Sequence, residues 1–320
     1  MHTRIPAVRY YNFAPGSASM HERILRGLRG SEKELPSFLL YDARGIRLFN
    51  QLCRLGGHSI VRRECRLLRG AGDELRRLLG KRTAIVEYGS GTSQTATALL
   101  RGMSGVAAYL PVDLSLSSLR FGVRRLRMAL KRLSIVPVRA DFTSCFPMPA
   151  VGLRPERTLV YLSSCALSTM DVAEASRLLQ GAAKLCGQRG AVLLGVDLRA
   201  DPLTEPRSGA LLEAFNLNIL THINRRFAAN FHVRRFEHAV IDESARNRME
   251  LRLTSRVDQI VKIDQERVRL RRGDSILTES RQRYTWNEVE RLAHDSAETI
   301  ERTWFDGQGT AALVLLRPKL

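Results

Sequence analysis

Between Arg82 and Val196 short apolar runs alternate with longer stretches of helical periodicity, and this rhythm restricts the chain more than any other feature. Thr83 to Tyr88, Val106 to Val112, Ile135 to Val138, Leu159 to Leu162 and Ala191 to Val196 read as strands. Ser93 to Gly102, Leu116 to Leu133 and Asp171 to Leu185 read as helices. Strands that alternate with helices of this length build βαβ units, and runs apolar on both faces place the strands in a parallel sheet covered on both sides. The expected class is α/β with a doubly wound, Rossmann-like sheet.

After Asp197 the rhythm stops. A polar stretch with Pro202 and Pro206 leads into a helical pattern through Leu212, Phe215, Ile219 and Leu220. Phe231 to Phe236, Met249 to Ser255 and Val257 to Ile263 then alternate apolar and polar positions, as half-exposed antiparallel strands do. Thr285 and Glu288 spell a capping box for a helix through Val289 and Leu292, and Ile300 to Phe305 and Ala311 to Leu316 flank the glycine-bearing reversal 306–309. The expected organisation is an N-terminal arm over 1–30, a main domain over 31–198 plus 285–320, and a smaller α+β insertion over 199–284.

The 51 Lys plus Arg against 32 Asp plus Glu leave a formal charge of +19, which admits nucleic acid, an anionic membrane or an acidic ligand. The basic residues are spread along the chain and aromatics are only 6%, which disfavours an RNA-reading surface. No apolar run approaches the ~18 residues of a membrane helix, so no membrane partner is expected. Arg4, Arg9, Arg23, Arg26 and Arg29 interrupt the first thirty residues, and no compact apolar stretch of a secretory signal accompanies them, so the expected location is cytoplasmic. Cys53, Cys65, Cys145, Cys165 and Cys186 include no CxxC pair, which suits reduced thiols, and no metal is expected.

Ile85 to Ser93 is an apolar strand running into a Gly-Ser-Gly turn that opens a helix. In a doubly wound sheet such a turn faces the nucleotide crevice, where glycine admits a close ligand and the helix start offers free N–H groups. Gln94 stands where the third glycine of the dinucleotide fingerprint would be, which disfavours a pyrophosphate. Asp113 ends the next strand, placed for ribose hydroxyls, and Asp141 with Phe142 follows the strand after, suited to an adenine amino group and ring. Singly, each acid also reads as a helix cap or a solvated loop carboxylate. Together they favour an adenosyl ligand. The basic side of Leu116 to Leu133, with Arg120, Arg124 and Arg127, reads as a solvated outer face, and Ser163, Ser164 and Ser168 lack a hydrolase elbow.

Leu40 to Gly45, Val86 to Ser93, Pro111 to Asp113, Asp141-Phe142, Leu194 to Leu198, Ala214 to Asn218, Phe236 to His238 and Leu277 to Glu279 follow one another in an order that resembles the histidine Nα-methyltransferase family of ergothioneine biosynthesis. That family also includes a fungal dimethylallyltryptophan N-methyltransferase. The resemblance implies a class I S-adenosylmethionine-dependent methyltransferase fold with an inserted substrate domain, S-adenosylmethionine as cofactor, and a small-molecule acceptor bound by a monomer or weak dimer. By position it implies cofactor contacts from Tyr41, Gly89, Ser90, Gly91, Thr95, Asp113, Asp141, Phe142 and Ser163. Thr95 departs from the family, which commonly has a lysine there.

The acceptor side departs further. The family's Tyr-Tyr-Pro-Thr-Arg segment appears as His58-Ser59-Ile60-Val61-Arg62, its backbone-holding asparagine becomes Ser168, and a carboxylate-gripping tyrosine aligns near Glu205. Asn216 keeps its segment. Of the pair that recognises imidazole, the glutamate persists as Glu279, expected to contact substrate and take a proton, while the serine becomes Arg281. The expected reaction is N-methylation of an amino acid or amino-acid-derived intermediate other than histidine. O-methylation of a carboxyl group and a non-catalytic nucleic-acid binder stand as alternatives.

Overall fold

The structure, a computed structural model, describes residues 8–55, 59–149, 155–198, 209–243 and 247–319. Its strands are β1 (Tyr11–Asn12), β2 (Lys33–Glu34), β3 (Thr83–Tyr88), β4 (Ala108–Val112), β5 (Val138–Arg139), β6 (Arg157–Leu162), β7 (Ala191–Asp197), β8 (Phe236–Glu243), β9 (Arg248–Ser255), β10 (Gln259–Ile263), β11 (Glu266–Leu270), β12 (Ser275–Gln282), β13 (Glu298–Phe305) and β14 (Ala311–Pro318). Its helices are α1 (Ser17–Arg29), α2 (Ala43–Leu55), α3 (Ser59–Leu79), α4 (Gln94–Gly102), α5 (Leu116–Ala129), α6 (Ser164–Leu167), α7 (Val172–Cys186), α8 (Gly209–Arg226) and α9 (Trp286–Asp295).

One sheet runs β1-β5-β4-β3-β6-β7-β14-β13. It is parallel from β1 to β7, and β14 enters antiparallel between β7 and β13. From β3 the chain works outward through β4 and β5, then returns to β6 on the other flank of β3. The topological switch point, where such sheets hold ligands, therefore lies between the C-terminal ends of β3 and β6.

Strands β3 and β4 are buried along their whole length, which is why their sequence is a continuous apolar run. Alternate residues feed two cores. Ile85, Tyr109, Leu193 and Leu315 pack with Phe49 of α2, Leu68 of α3 and Leu99 of α4. Val86, Leu110, Leu194 and Val314 pack with Leu179 of α7 and Leu292 of α9. The first core continues without a break into Phe215, Ile219, Leu251 and Ile276, so the segment beyond β7 shares its apolar interior with the main sheet. That segment supplies β8, β9 and β12 of a second sheet, ordered β2-β12-β9-β8, and the hairpin β10-β11.

Residues 8–30 carry one short strand and one helix. Tyr11 and Asn12 pair with Val138 and Arg139 at the edge of the main sheet, and β2 joins the second sheet beside β12. Helix α1 buries Met20, Ile24, Leu25 and Leu28, an amphipathic spacing hidden among its arginines. The expected strand over Phe231 to Phe236 is a loop ending in a 3-10 turn, and β8 begins only at Phe236. The Thr285 and Glu288 capping box forms as its spacing predicts.

Candidate active site

At the end of β3 the chain turns through Gly89 (φ +68°) and Gly91 (φ +47°) into α4. A Cβ at Gly89 would lie 2.8 Å from the Ala166 methyl, in a backbone region that favours glycine anyway. Over Gly91 the nearest atom to such a Cβ is the Gly89 carbonyl oxygen at 3.7 Å, so that side of the turn is open. Gly91 N–H donates to Asp113 Oδ2 at 2.9 Å and Ser115 N–H to Oδ1 at 2.8 Å. Each carboxylate oxygen thus keeps one acceptor position for a ligand. Burial pushes the Asp113 carboxyl up to about 6 against the pull of these two donors. The Ser90 hydroxyl is buried in the same turn with no hydrogen-bond partner among the described residues.

Beside the turn, Phe142 stacks on Tyr88 with ring centroids 5.8 Å apart and planes 10° from parallel. With Phe38, Leu114 and Met148 these rings wall a cleft of about 590 Å³, within the ordinary range for a small-molecule site. An open glycine turn, a carboxylate with spare acceptor positions and a flat aromatic wall fit an adenosyl cofactor. Asp141 is partly spent: Oδ1 accepts from the Thr143 N–H and hydroxyl, and Oδ2 pairs with Arg23 at 3.4 Å.

Beneath the turn lies a buried layer that the sequence does not advertise. Glu64 of α3 accepts from the Tyr161 hydroxyl at 2.8 Å, the Ser164 hydroxyl at 2.6 Å and the Ser164 N–H at 3.1 Å. Glu87 of β3 accepts from the Tyr109 hydroxyl and from Thr95 Oγ1 at 3.3 Å. No cation bonds either carboxylate among the described residues. Burial pushes Glu64 upward and Glu87 up to about 8, while the hydroxyl donors pull both back toward the charged form. Gly195 on β7 makes the room, because a Cβ there would overlap the Glu64 carboxylate. Glu64 thereby holds the first N–H of α6, the short helix between the glycine turn and a floor formed by Tyr41, Glu279 and Arg281.

That floor is assembled from distant segments. The Tyr41 hydroxyl donates to Glu279 Oε1 at 2.8 Å, and Arg281 Nη2 and Nε face Glu279 Oε2 at 3.3 and 3.4 Å. Glu279 is 2% exposed. The register between β12 and β9 slips between Leu277 and Glu279, a bulge that re-aims the following side chains. Tyr41 sits edge-on to Phe49 and Phe215, 5.5 and 5.4 Å from their centroids. Burial opposes the Arg281 charge, but the Glu279 carboxylate beside it outweighs that and holds its pKa above the ordinary value. Burial pushes the nearby Cys53 thiol up to about 12 and Cys165 higher, with the Arg281 cation working against both shifts.

Several expected contacts fall elsewhere. Tyr41 turns its hydroxyl to Glu279 rather than to the glycine turn, and only its carbonyl meets that side, accepting from Ser115 Oγ at 2.6 Å. Thr95 is buried and points to Glu87, since a side chain this short cannot reach back into the cleft as a lysine would. Ser163 spends its hydroxyl as the N-cap of α6, and Ser168 bonds back to the Cys165 carbonyl at 3.1 Å. Asn216 is fully buried: its amide donates to His238 Nδ1 and the Arg252 carbonyl and accepts from Thr278, so it ties α8 to the second sheet. His58, Glu205 and the side chain of Ser59 lie outside the described residues. Glu64, Glu87 and Gly195 escape a sequence reading because a glutamate beside Arg62 and Arg63 looks like an exposed helix face.

A parallel sheet with β14 inserted antiparallel beside β7, a Gly-x-Gly turn at the switch point and an acid on the next strand define a class I S-adenosylmethionine-dependent methyltransferase. Residues 20–318 match the family described as histidine-specific, SAM-dependent methyltransferases, and the chain belongs to that family. It is 31% identical over 281 residues to the histidine N-alpha-methyltransferase of Mycolicibacterium smegmatis, covering 84% of this chain and 86% of that protein. It is 28% identical to the Mycobacterium tuberculosis protein of the same name, over 81% and 82% of the two chains. A solved S-adenosylmethionine-dependent methyltransferase from Clostridium acetobutylicum aligns over 85% of this chain and 99% of its own, at 8% identity and a TM-score of 0.49. The chain is thus an S-adenosylmethionine-dependent methyltransferase, and among the described residues no helix is long and apolar enough to cross a membrane.

Proposed function

We propose that this enzyme methylates the amine nitrogen of an amino acid or amino-acid-derived small molecule, with the cofactor held by Gly89, Ser90, Gly91, Asp113, Asp141 and Phe142. The observation that carries the reading is the glycine turn locked to Asp113, because it leaves an open backbone surface beside a carboxylate that still has acceptor capacity for a diol. S-adenosylmethionine, when bound, would supply a methyl carbon on a positively charged sulfur: a neutral amine's lone pair would form the new N–C bond as the C–S bond breaks with its electrons going to sulfur, and the proton of the resulting ammonium would pass to bulk water. The chain then has to align and desolvate rather than activate, bringing nitrogen and carbon to about 3 to 3.5 Å. Phe142 and Tyr88 flank the adenine, and Asp141 turns toward its amino group if Arg23 gives way. Glu279 holds Arg281 toward the acceptor. With Tyr41 and Arg281 already on its two oxygens it orients rather than takes the proton.

Nitrogen as the acceptor atom draws support from the names of relatives, among them an N-methyltransferase of Aspergillus flavus that is 31% identical over 123 residues, 38% of this chain and 33% of that protein. A cytoplasmic location accords with five free cysteines. Calorimetry with S-adenosylmethionine should show one site per chain, and labelled methyl groups should pass from it to amines of an amino-acid panel. Binding of NAD without binding of S-adenosylmethionine overturns the cofactor assignment.

A further inference from the structure

The acceptor floor holds one buried ion pair whose two halves are unequally spent. Glu279 has a donor on each oxygen, the Tyr41 hydroxyl on Oε1 and Arg281 Nη2 and Nε on Oε2. Arg281 Nη1 has no acceptor among the described residues, and the side chain is 14% exposed, so this end of the fork faces open space. Cys53 and Cys165 beside it are thiols that burial keeps protonated. A buried carboxylate without a partner would draw in a cation or an N–H donor from a ligand, since leaving it unpaired is costly. Arg281 already meets that need. What the floor has left to offer is the pair of N–H bonds on Nη1, which match an oxygen acceptor and above all a carboxylate.

Building on the amine-methylation reading, we infer that Arg281 determines the acceptor's chemistry: the floor takes an amine whose far end carries a carboxylate, and it turns away a far end, such as imidazole, that needs Glu279 for itself. The bond-making step is the one given above, and Arg281 acts only on which amine is held for it.

The test compares glutamate with histidine as acceptors of labelled methyl groups, in the intact chain and in Arg281→Ser and Arg281→Lys. The intact chain should favour glutamate in kcat/KM by about tenfold, and Arg281→Ser, which frees Glu279 Oε2, should move that ratio about a hundredfold toward histidine. Arg281→Lys, which keeps the charge and loses the fork, should keep the sign of the preference. A preference for histidine in the intact chain, or a ratio that Arg281→Ser leaves unmoved, overturns the inference. Should Arg281→Ser fail to fold, the intact chain and Arg281→Lys still decide. Transfer to no amine of the panel by a chain that binds S-adenosylmethionine overturns the amine reading itself, and this inference with it.

Discussion

The two halves of the proposed active site are made of different materials. At the cofactor end the contacts come from backbone and one carboxylate: the Gly89 to Gly91 turn, the Ser115 N–H and Asp113, all within two consecutive βα units. At the acceptor floor they come from the tips of side chains on segments far apart, with Tyr41 meeting Glu279 across 238 positions and Cys53 and Cys165 arriving from two further helices. A surface of turn backbone survives most side-chain changes, whereas a surface of side-chain tips changes its chemistry with one substitution. The Glu64 and Glu87 layer lies between and couples α6 to the sheet.

That contrast can be broken most forcefully at Gly195. Gly195→Ala forces a methyl group into the Glu64 carboxylate and should cost about 3 kcal/mol in chemical denaturation. Because Glu64 holds α6, the folded variant should raise the acceptor KM while the S-adenosylmethionine Kd stays nearly constant. The double variant with Glu64→Ala should lose less than the two single losses combined. Equal weakening of cofactor and acceptor would show that the two ends are not separable.

Next in size, Asp113→Ala removes two acceptor positions for the ribose and the brace on Gly91, and should weaken S-adenosylmethionine binding about a hundredfold at about 1.5 kcal/mol per bond. Acceptor preference measured at saturating cofactor should not move, and a changed preference would contradict the division.

The buried layer predicts a pH dependence. Glu87 stands at about 8 against an ordinary 4.5, so between those values the folded chain holds a proton that the unfolded chain has lost. Stability should therefore fall as pH rises through this window, by at most about 1.4 kcal/mol per unit. Glu298, raised by burial to about 7, adds to the same trend. Denaturant titrations at pH 5 and pH 8 should show the loss, and Glu87→Gln should flatten it. A chain equally stable at both values would mean that the layer holds no proton.

The smallest effect is expected at Arg23, whose half-exposed side chain pairs with Asp141 at 3.4 Å. Arg23→Ala should leave stability within about 1 kcal/mol, as exposed ion pairs do. By freeing Asp141 Oδ2 it should tighten S-adenosylmethionine binding slightly, and a marked loss would mean that Arg23 itself touches the cofactor.

Much of the cofactor end is legible in the sequence because its determinants are local. An apolar run, two glycines and an acid after the next strand are read within one stretch, and the turn and the Asp113 bond form where that pattern puts them. The resemblance to a family extends the reading to Glu279 and Arg281 but not to their pairing, since two residues on one strand give no hint that their side chains converge on each other rather than on a ligand. Asn216 and Thr95 mislead for the opposite reason: both look free to meet a ligand, and both are consumed by partners from other segments. The buried stripe on α1 is hard to read in the sequence because arginines interrupt it.

By itself the amino-acid sequence determined the alternating strand and helix order, the glycine turn at the switch point, the Thr285 and Glu288 capping box and the absence of a dinucleotide fingerprint. These depend on hydrophobic period, glycine conformation and hydrogen bonds between residues three or four apart, all of which are local. Only the tertiary structure decided that Glu64 fills the space over Gly195, that no cation among the described residues bonds Glu87, and that Arg281 closes on Glu279 beneath Tyr41. Which charges are compensated inside a protein depends on which side chains the fold brings within about 3 Å of one another, and that proximity is a property of topology rather than of any stretch of chain.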